Sequence, residues 1–271
     1  MSEQPGANPL IGAYFEPVAP GLYRPTEHAG GAWRSDEIHF SPLGGLLVHA
    51  IDLHRAAEPG GANGKELGRI SFDILGFLSA EECEIRVETI RPGRTIELIE
   101  ATVIIAGRAA VLARAWFIST TDTTAVVGGD SVALLPPDRC APWSMTDIWP
   151  GGYVASLEVK AVAPPQPGRS SAWLRTDLAL VAGEPSSPHA SFIALVDTAN
   201  GIAVRQSPLD WAYPNLDLTI HFHRQPTGSW VGLDTTVTFG PAGHGLTSSV
   251  LHDEAGPVGR AEQILTVRPL G

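Results

Sequence analysis

A near-constant offset between two halves of this 271-residue chain limits its fold more than any other feature. SPLGGLLVHAIDLHRA, from Ser41, and SPHASFIALVDTANG, from Ser187, start 146 residues apart. SFDI at Ser71 matches NLDL at Asn215, 144 residues on, and Arg114 in ARAWF matches Arg260 in GRAEQ, 146 residues on. Trp33 in GAWRSD and Trp173 in SAWLRTD add a looser match at 140. A period this long is too large for a solenoid and implies two similar domains.

Within each half the pattern is the same. Ser41 and Ser187 are N-cap candidates with Pro at the first helical position, and small and apolar residues follow, which predicts a helix of three to four turns. Four strand-like runs come next: GRISFDILGF, ECEIRVETI, RTIELIEATVII and AAVLARAWFI in the first half, and NLDLTIHFH, SWVGLDTTVTF, GLTSSVLHD and GPVGRAEQILTV in the second. Alternation in SWVGLDTTVTF puts Val231, Leu233, Thr235, Val237 and Phe239 on one face, as in a half-buried antiparallel strand. One helix against a curved antiparallel sheet is an α+β unit of hotdog type, so the expectation is a tandem (double) hotdog with its sheets paired edge to edge. The N-terminal unit spans residues 1–120 and the C-terminal unit 151–271. The linker, 121–150, is rich in Thr, Gly, Pro and Asp, and its Trp143 and Trp149 should pack on a domain.

Charge and cysteine usage exclude several function classes. With 29 acidic against 18 basic residues and no basic run, neither nucleic acid nor a membrane surface is an expected partner. No basic segment followed by an apolar one opens the sequence, no apolar run is long enough to span a membrane, and Cys83 and Cys140 form no paired motif. A cytoplasmic location is expected. GxSxG, GxxxxGK[ST], strand-linked GxGxxG and HExxH are all missing from the sequence.

Candidate site residues lie mostly in the second half. PNLDLTIHFHR reads as a strand with Leu216, Leu218, Ile220 and Phe222 on one face and Asn215, Asp217, Thr219, His221 and His223 on the other. His221 and His223 share a face but have no evident third ligand, so no metal is expected. Asp197 shares a stripe with Ala190, Ala194 and Gly201, a small surface that lets another molecule approach, and its charge near a helix C-terminus is disfavoured by the dipole. Gln263 alternates with Ala261, Leu265 and Val267 and should point inward, where its amide needs partners. The first half is an internal control: Ile51, Ser71 and Phe117 stand where Asp197, Asn215 and Gln263 stand in the second. Large apolar groups replace two of the three, so the fold does not require the polar set.

PLGGLLVHA, RPGRTIELIEATVI, LDLTIHFHR with Trp230 downstream, and GPVGRAEQILTVRP, in this order and spacing, resemble the type II acyl-CoA thioesterase family of double-hotdog proteins, in its actinobacterial form. The resemblance runs from about Tyr14 to Pro269. It implies thioester hydrolysis with Asp197, Asn215 and Gln263 holding and activating a water, Asn215 standing where better-understood members have Thr. It also implies acyl-CoA as substrate with no separate cofactor, binding beside Gly44 and Gly45 of the first helix near the seam between the hotdogs, and a homodimer or higher oligomer. Arg224 and Arg268 are candidate phosphate contacts on charge alone. A hotdog-type enoyl-CoA hydratase is disfavoured because its Asp, Asn and His motif is not recognisable, and a non-catalytic acyl-CoA or lipid-binding hotdog protein stands as the alternative.

Overall fold

The computed structural model describes residues 12–31, 33–58, 64–129 and 131–270. The first half runs β1 (Ala13–Ala19), β2 (Leu22–Pro25), α1 (Phe40–Ala57), β3 (Lys65–Ile74), β4 (Cys83–Arg91), β5 (Ile96–Ile105) and β6 (Arg108–Ser119). A connecting stretch carries β7 (Ala141–Pro142) and the short helix α2 (Gly152–Ala155). The second half runs β8 (Glu158–Ala161), β9 (Arg169–Arg175), β10 (Ala179–Val181), α3 (Pro188–Val196), α4 (Ala199–Ile202), β11 (Trp211–Ala212), β12 (Asp217–Phe222), β13 (Val231–Phe239), β14 (His244–Asp253), β15 (Gly256–Thr266) and β16 (Arg268–Pro269). All eight strands expected after the two helices are present.

Among the described residues fourteen strands form one sheet in the order β10-β1-β2-β4-β5-β6-β3-β12-β15-β14-β13-β9-β8-β7. Outward from its middle, β3-β6-β5-β4-β2-β1 mirrors β12-β15-β14-β13-β9-β8, the duplication written as topology. The seam is the antiparallel β3–β12 pair, from Asp73 opposite Asp217 to Arg69 opposite His221. One pairing, β1 with β10, is parallel and ties the second half back to the first. The looser tryptophan match is not an equivalence. Trp173 lies in β9, whose counterpart is β2, whereas Trp33 lies in the loop before α1.

The two main helices pack against each other as well as on the sheet, α1 on β4 and β5 and α3 on β13. Leu43, Leu46, Leu47 and Ile51 of α1 are fully buried, each stabilising the fold by roughly 1.5–3 kcal/mol. The helices run antiparallel, since Gly45 meets Ala190 and Ala194 while Asp52 accepts a hydrogen bond from Ser187 Oγ at 2.5 Å. The small stripe of α3 is therefore where α1 approaches, not an opening for a foreign molecule, and Gly201 faces Trp149 and Met145.

Helix starts differ in their agreement with expectation. Ser187 caps α3 by accepting from Ala190 N at 3.1 Å. In contrast α1 is an 18-residue helix, five turns, and starts before Ser41: its cap is His39, whose Nδ1 accepts from Ser41 N at 3.1 Å. Ser41 is inside the helix and buried. In the connecting stretch Trp149 is buried and Trp143 half-buried, as the cost of wetting an indole requires. Among the described residues no helix is long and apolar enough to cross a membrane.

Candidate active site

The chain turns at the C-terminal end of α3, and Asp197 sits at the turn as its C-cap residue, 7 % exposed. The antiparallel helix pair brings the N-terminus of α1 to the same place. The small side chains of Ala190 and Ala194, with Gly45 opposite, allow the close approach that makes this possible.

Asp197 Oδ1 accepts two hydrogen bonds, from Asn215 Nδ2 at 2.8 Å and from Gln263 Nε2 at 2.6 Å. The three residues read from sequence thus converge on one oxygen. Gln263 points inward from β15 as alternation predicts and is 1 % exposed. Among the described residues its Oε1 has no hydrogen-bond partner.

Asn215 reaches the site by a route that alternation does not predict. It bridges to Leu265, whereas Thr219 pairs with Glu262, so four steps on one strand match three on the other. This one-residue bulge turns Asn215 toward Asp197 and sends Leu216 outward, 48 % exposed. Asn215 is therefore not part of the polar outer face of β12, and Leu216 is not part of its buried face. His221 and His223 do lie exposed on that stretch, and among the described residues no three His, Cys, Asp or Glu side chains group as a metal site would require.

Burial pushes the Asp197 carboxyl up to about 7, with the Asn215 and Gln263 hydrogen bonds pulling the other way. Its Oδ2 lies 3.8 Å from His39 Nδ1. This contact is not an ion pair: burial pulls His39 down to about 3, so the ring is neutral, and its Nδ1 already accepts from Ser41. Asp197, Asn215 and His39 share a cavity of about 40 Å³ with Trp33, Met145, Trp149, Val154 and Asn200. That is room for water, and too little for an acyl chain.

Sequence reasoning missed His39, Tyr153 and the aromatic wall. Tyr153 stacks on His39 with ring centroids 4.1 Å apart, and its hydroxyl meets Thr198 Oγ1 at 2.6 Å and donates to Ala194 O at 3.2 Å, closing the end of α3. Trp33 stands edge-on to Trp149 and to Tyr213, at 4.9 and 5.1 Å. No period announces these residues, because they come from loops and from one short helix.

Four other residues singled out from sequence are placed elsewhere. Gly44 and Gly45 are buried, Gly45 in the α1–α3 contact and Gly44 against Phe40 and Ile193, not on a surface open to substrate. Arg224 forms a two-pronged ion pair with buried Asp253, at 2.5 and 2.6 Å, and donates to the Gly256 and Pro257 carbonyls. Its guanidinium is committed to the fold. Arg268 is exposed on the small β11–β16 ribbon.

Among the described residues the first half has no equivalent cluster. Ile51 and Phe117 are buried, and the Arg55 guanidinium covers the Phe117 ring at 3.7 Å while pairing with Glu97 at 3.1 Å.

The sequence matches the model of the acyl-CoA thioesterase N-terminal domain over residues 30–118 and that of the acyl-CoA thioesterase C-terminal domain over 137–267. No curated protein matches the chain in sequence. Among solved structures, a conserved protein of unknown function with hot dog fold from Alicyclobacillus acidocaldarius superposes with a TM-score of 0.71 at 12% identity, covering 92% of this chain and 94% of its own. The acyl-CoA thioesterase II TesB2 of Mycobacterium marinum gives 0.64 at 15%, covering 95% of each chain. The tesB protein of Mycobacterium avium subs paratuberculosis gives 0.66 at 15%, covering 94% and 96%. These likenesses concern the fold, and the two matched domains in their order concern descent: the chain belongs to the acyl-CoA thioesterase family, thioester hydrolases, and is built as a tandem hotdog.

Proposed function

We propose that this chain hydrolyses acyl-CoA thioesters with Asp197 as the general base for a water. The observation that carries the reading is the Asp197 carboxylate itself. It is buried and poised near neutral pH, one oxygen is fixed by two amides, and the residue lines a cavity of water size.

Both hydrogens of Asn215 Nδ2 are engaged, by Asp197 Oδ1 and by Asp217 O at 3.1 Å, which leaves Asn215 Oδ1 to accept from a water while Asp197 Oδ2 takes its other proton. The water oxygen bonds to the thioester carbon as its proton passes to Asp197. Collapse of the tetrahedral intermediate breaks the carbon–sulfur bond, and Asp197 returns the proton to the departing thiolate, giving free acid and coenzyme A. No covalent enzyme intermediate is needed, because a thioester is already electrophilic and positioning supplies much of the rate. The N-terminus of α1 beside Asp197 favours negative charge at the reacting centre. The cavity alone cannot hold an acyl group, so substrate entry requires its lining to open.

Release of free thiol from short, medium, long and aromatic acyl-CoAs tests the reading. Turnover on at least one that falls about a hundredfold or more in Asp197→Asn supports it. Binding of acyl-CoA without turnover across the panel replaces it with a non-catalytic acyl-CoA-binding role.

A further inference from the structure

His39 holds a position that ordinary helix capping does not explain. Ser187 caps α3 with a hydroxyl, and a serine at 39 would serve α1 equally well, because Ser, Thr, Asp and Asn are the favoured N-cap residues. What histidine adds is a second nitrogen. Nδ1 is taken as the acceptor for Ser41 N–H, so the neutral ring carries its proton on Nε2. Among the described residues the ring's one hydrogen bond is the one at Nδ1, so Nε2 is not engaged.

The ring is also fixed. It stacks on Tyr153, which Thr198 and Ala194 hold in turn, and it borders the cavity with Asp197 and Asn215. From this geometry we propose that His39 is a further catalytic residue of this chain, its Nε2–H donating to the thioester carbonyl oxygen as negative charge develops there; the proposal rests on the hydrolytic reading above. A neutral imidazole suits the task. It polarises a carbonyl without pairing with Asp197, so the base stays available, and a donor already held in place needs no reorganisation during the reaction.

His39→Asn separates this role from capping, because Asn Oδ1 still caps Ser41 N–H while the shorter side chain cannot place its amide donor where Nε2 lies. The expected result is a fall in kcat of about a hundredfold or more, the scale of one lost oxyanion donor, with KM within about threefold of wild type. In parallel, 15N-histidine spectra of the wild type should show an Nε2–H tautomer at pH 7. Its resonance should move when S-acetonyl-CoA or a longer 2-oxoalkyl homologue binds, thioethers whose carbonyl cannot be hydrolysed from sulfur. A kcat within threefold of wild type in His39→Asn, an Nδ1–H tautomer, or an Nε2–H resonance unmoved by a bound thioether overturns the proposal. If the wild type hydrolyses no acyl-CoA while the thioether still moves that resonance, the hydrolytic reading fails and the carbonyl contact stands. If the wild type turns over with the resonance unmoved, hydrolysis stands and the His39 contact falls.

Discussion

Gln263 Nε2 lies 2.6 Å from Asp197 Oδ1, a hydrogen bond formed wholly inside the protein. It stabilises the charged carboxylate against the burial that raises its pKa, so removing it raises that pKa further. Gln263→Leu should therefore move the rising limb of the kcat/KM profile to higher pH and lower kcat/KM at pH 7 by about tenfold or more. Stability at pH 5, where Asp197 is neutral, should change little, because the buried Gln263 Oε1, without a partner among the described residues, disappears with the amide. A pH–rate profile superimposable on the wild type's would refute this.

Asp197 links catalysis to stability with opposite signs. A general base works when deprotonated, so activity should rise with pH through about 7. Stability should do the reverse. The folded state holds the Asp197 proton up to about 7 while the unfolded chain loses it near the ordinary value of 3.8, so between these limits the folded protein binds more protons and loses about 1.4 kcal/mol per pH unit as pH rises. Asp197→Asn should cut turnover about a hundredfold or more yet raise the unfolding midpoint above wild type at pH 8, with little gain at pH 4. Urea titrations at the two pH values check the sign; a variant less stable at pH 8 contradicts it.

How much of this was legible in the sequence depended on whether a position obeys a period. Gln263 follows strand alternation within AEQILTV and was readable as an inward amide. Asp197 was readable because an acid at a helix C-terminus stands out against the dipole. The repeat marks Asn215, but alternation points it to the wrong face, since a one-residue bulge is a backbone event that alternation cannot encode. His39 was hidden by Ser41 and Pro42, which look locally like a helix start. The helix begins earlier, where a ring nitrogen from His39 satisfies Ser41 N–H and Tyr153 supports the ring. The aromatic wall was unreadable because Trp33, Trp149 and Tyr213 meet only through tertiary packing.

Gly44 and Gly45 should behave differently although they are neighbours. A Cβ on Gly45 would lie 2.6 Å from Ala194 Cβ and 2.7 Å from Ala190 O, so α1 would have to move away from α3. A Cβ on Gly44 meets nothing nearer than the Phe40 ring at 3.5 Å. Gly45→Ala should destabilise by about 1–3 kcal/mol and reduce kcat, because it displaces His39 relative to Asp197, whereas Gly44→Ala should be neutral or slightly stabilising. Chemical denaturation of both variants beside their kcat values is the check, and equal behaviour of the two would argue against helix spacing as the determinant.

Arg224 offers a contrast between charge read from sequence and charge used by the fold. Asp253 is 1 % exposed, and burial alone would push its carboxyl up. The Arg224 guanidinium and the donors from Thr227 and Ala255 outweigh that and hold it below the ordinary carboxylate range. With a depressed folded pKa, the stability Asp253 contributes is present above the ordinary value near 3.8 and is lost as pH falls through the folded value. Arg224→Ala strands a buried carboxylate and should destabilise by about 3–5 kcal/mol at pH 7, with the deficit shrinking as pH falls and the acid takes up a proton. Arg268→Ala, on an exposed ribbon, should stay within about 0.5 kcal/mol of wild type. If Arg224 serves only the fold, a variant assayed well below its own unfolding midpoint keeps the wild-type KM for acyl-CoA within about threefold. A tenfold rise in KM with unchanged stability would instead make Arg224 a ligand for the coenzyme A phosphates, and its pairing with Asp253 a resting arrangement that substrate displaces.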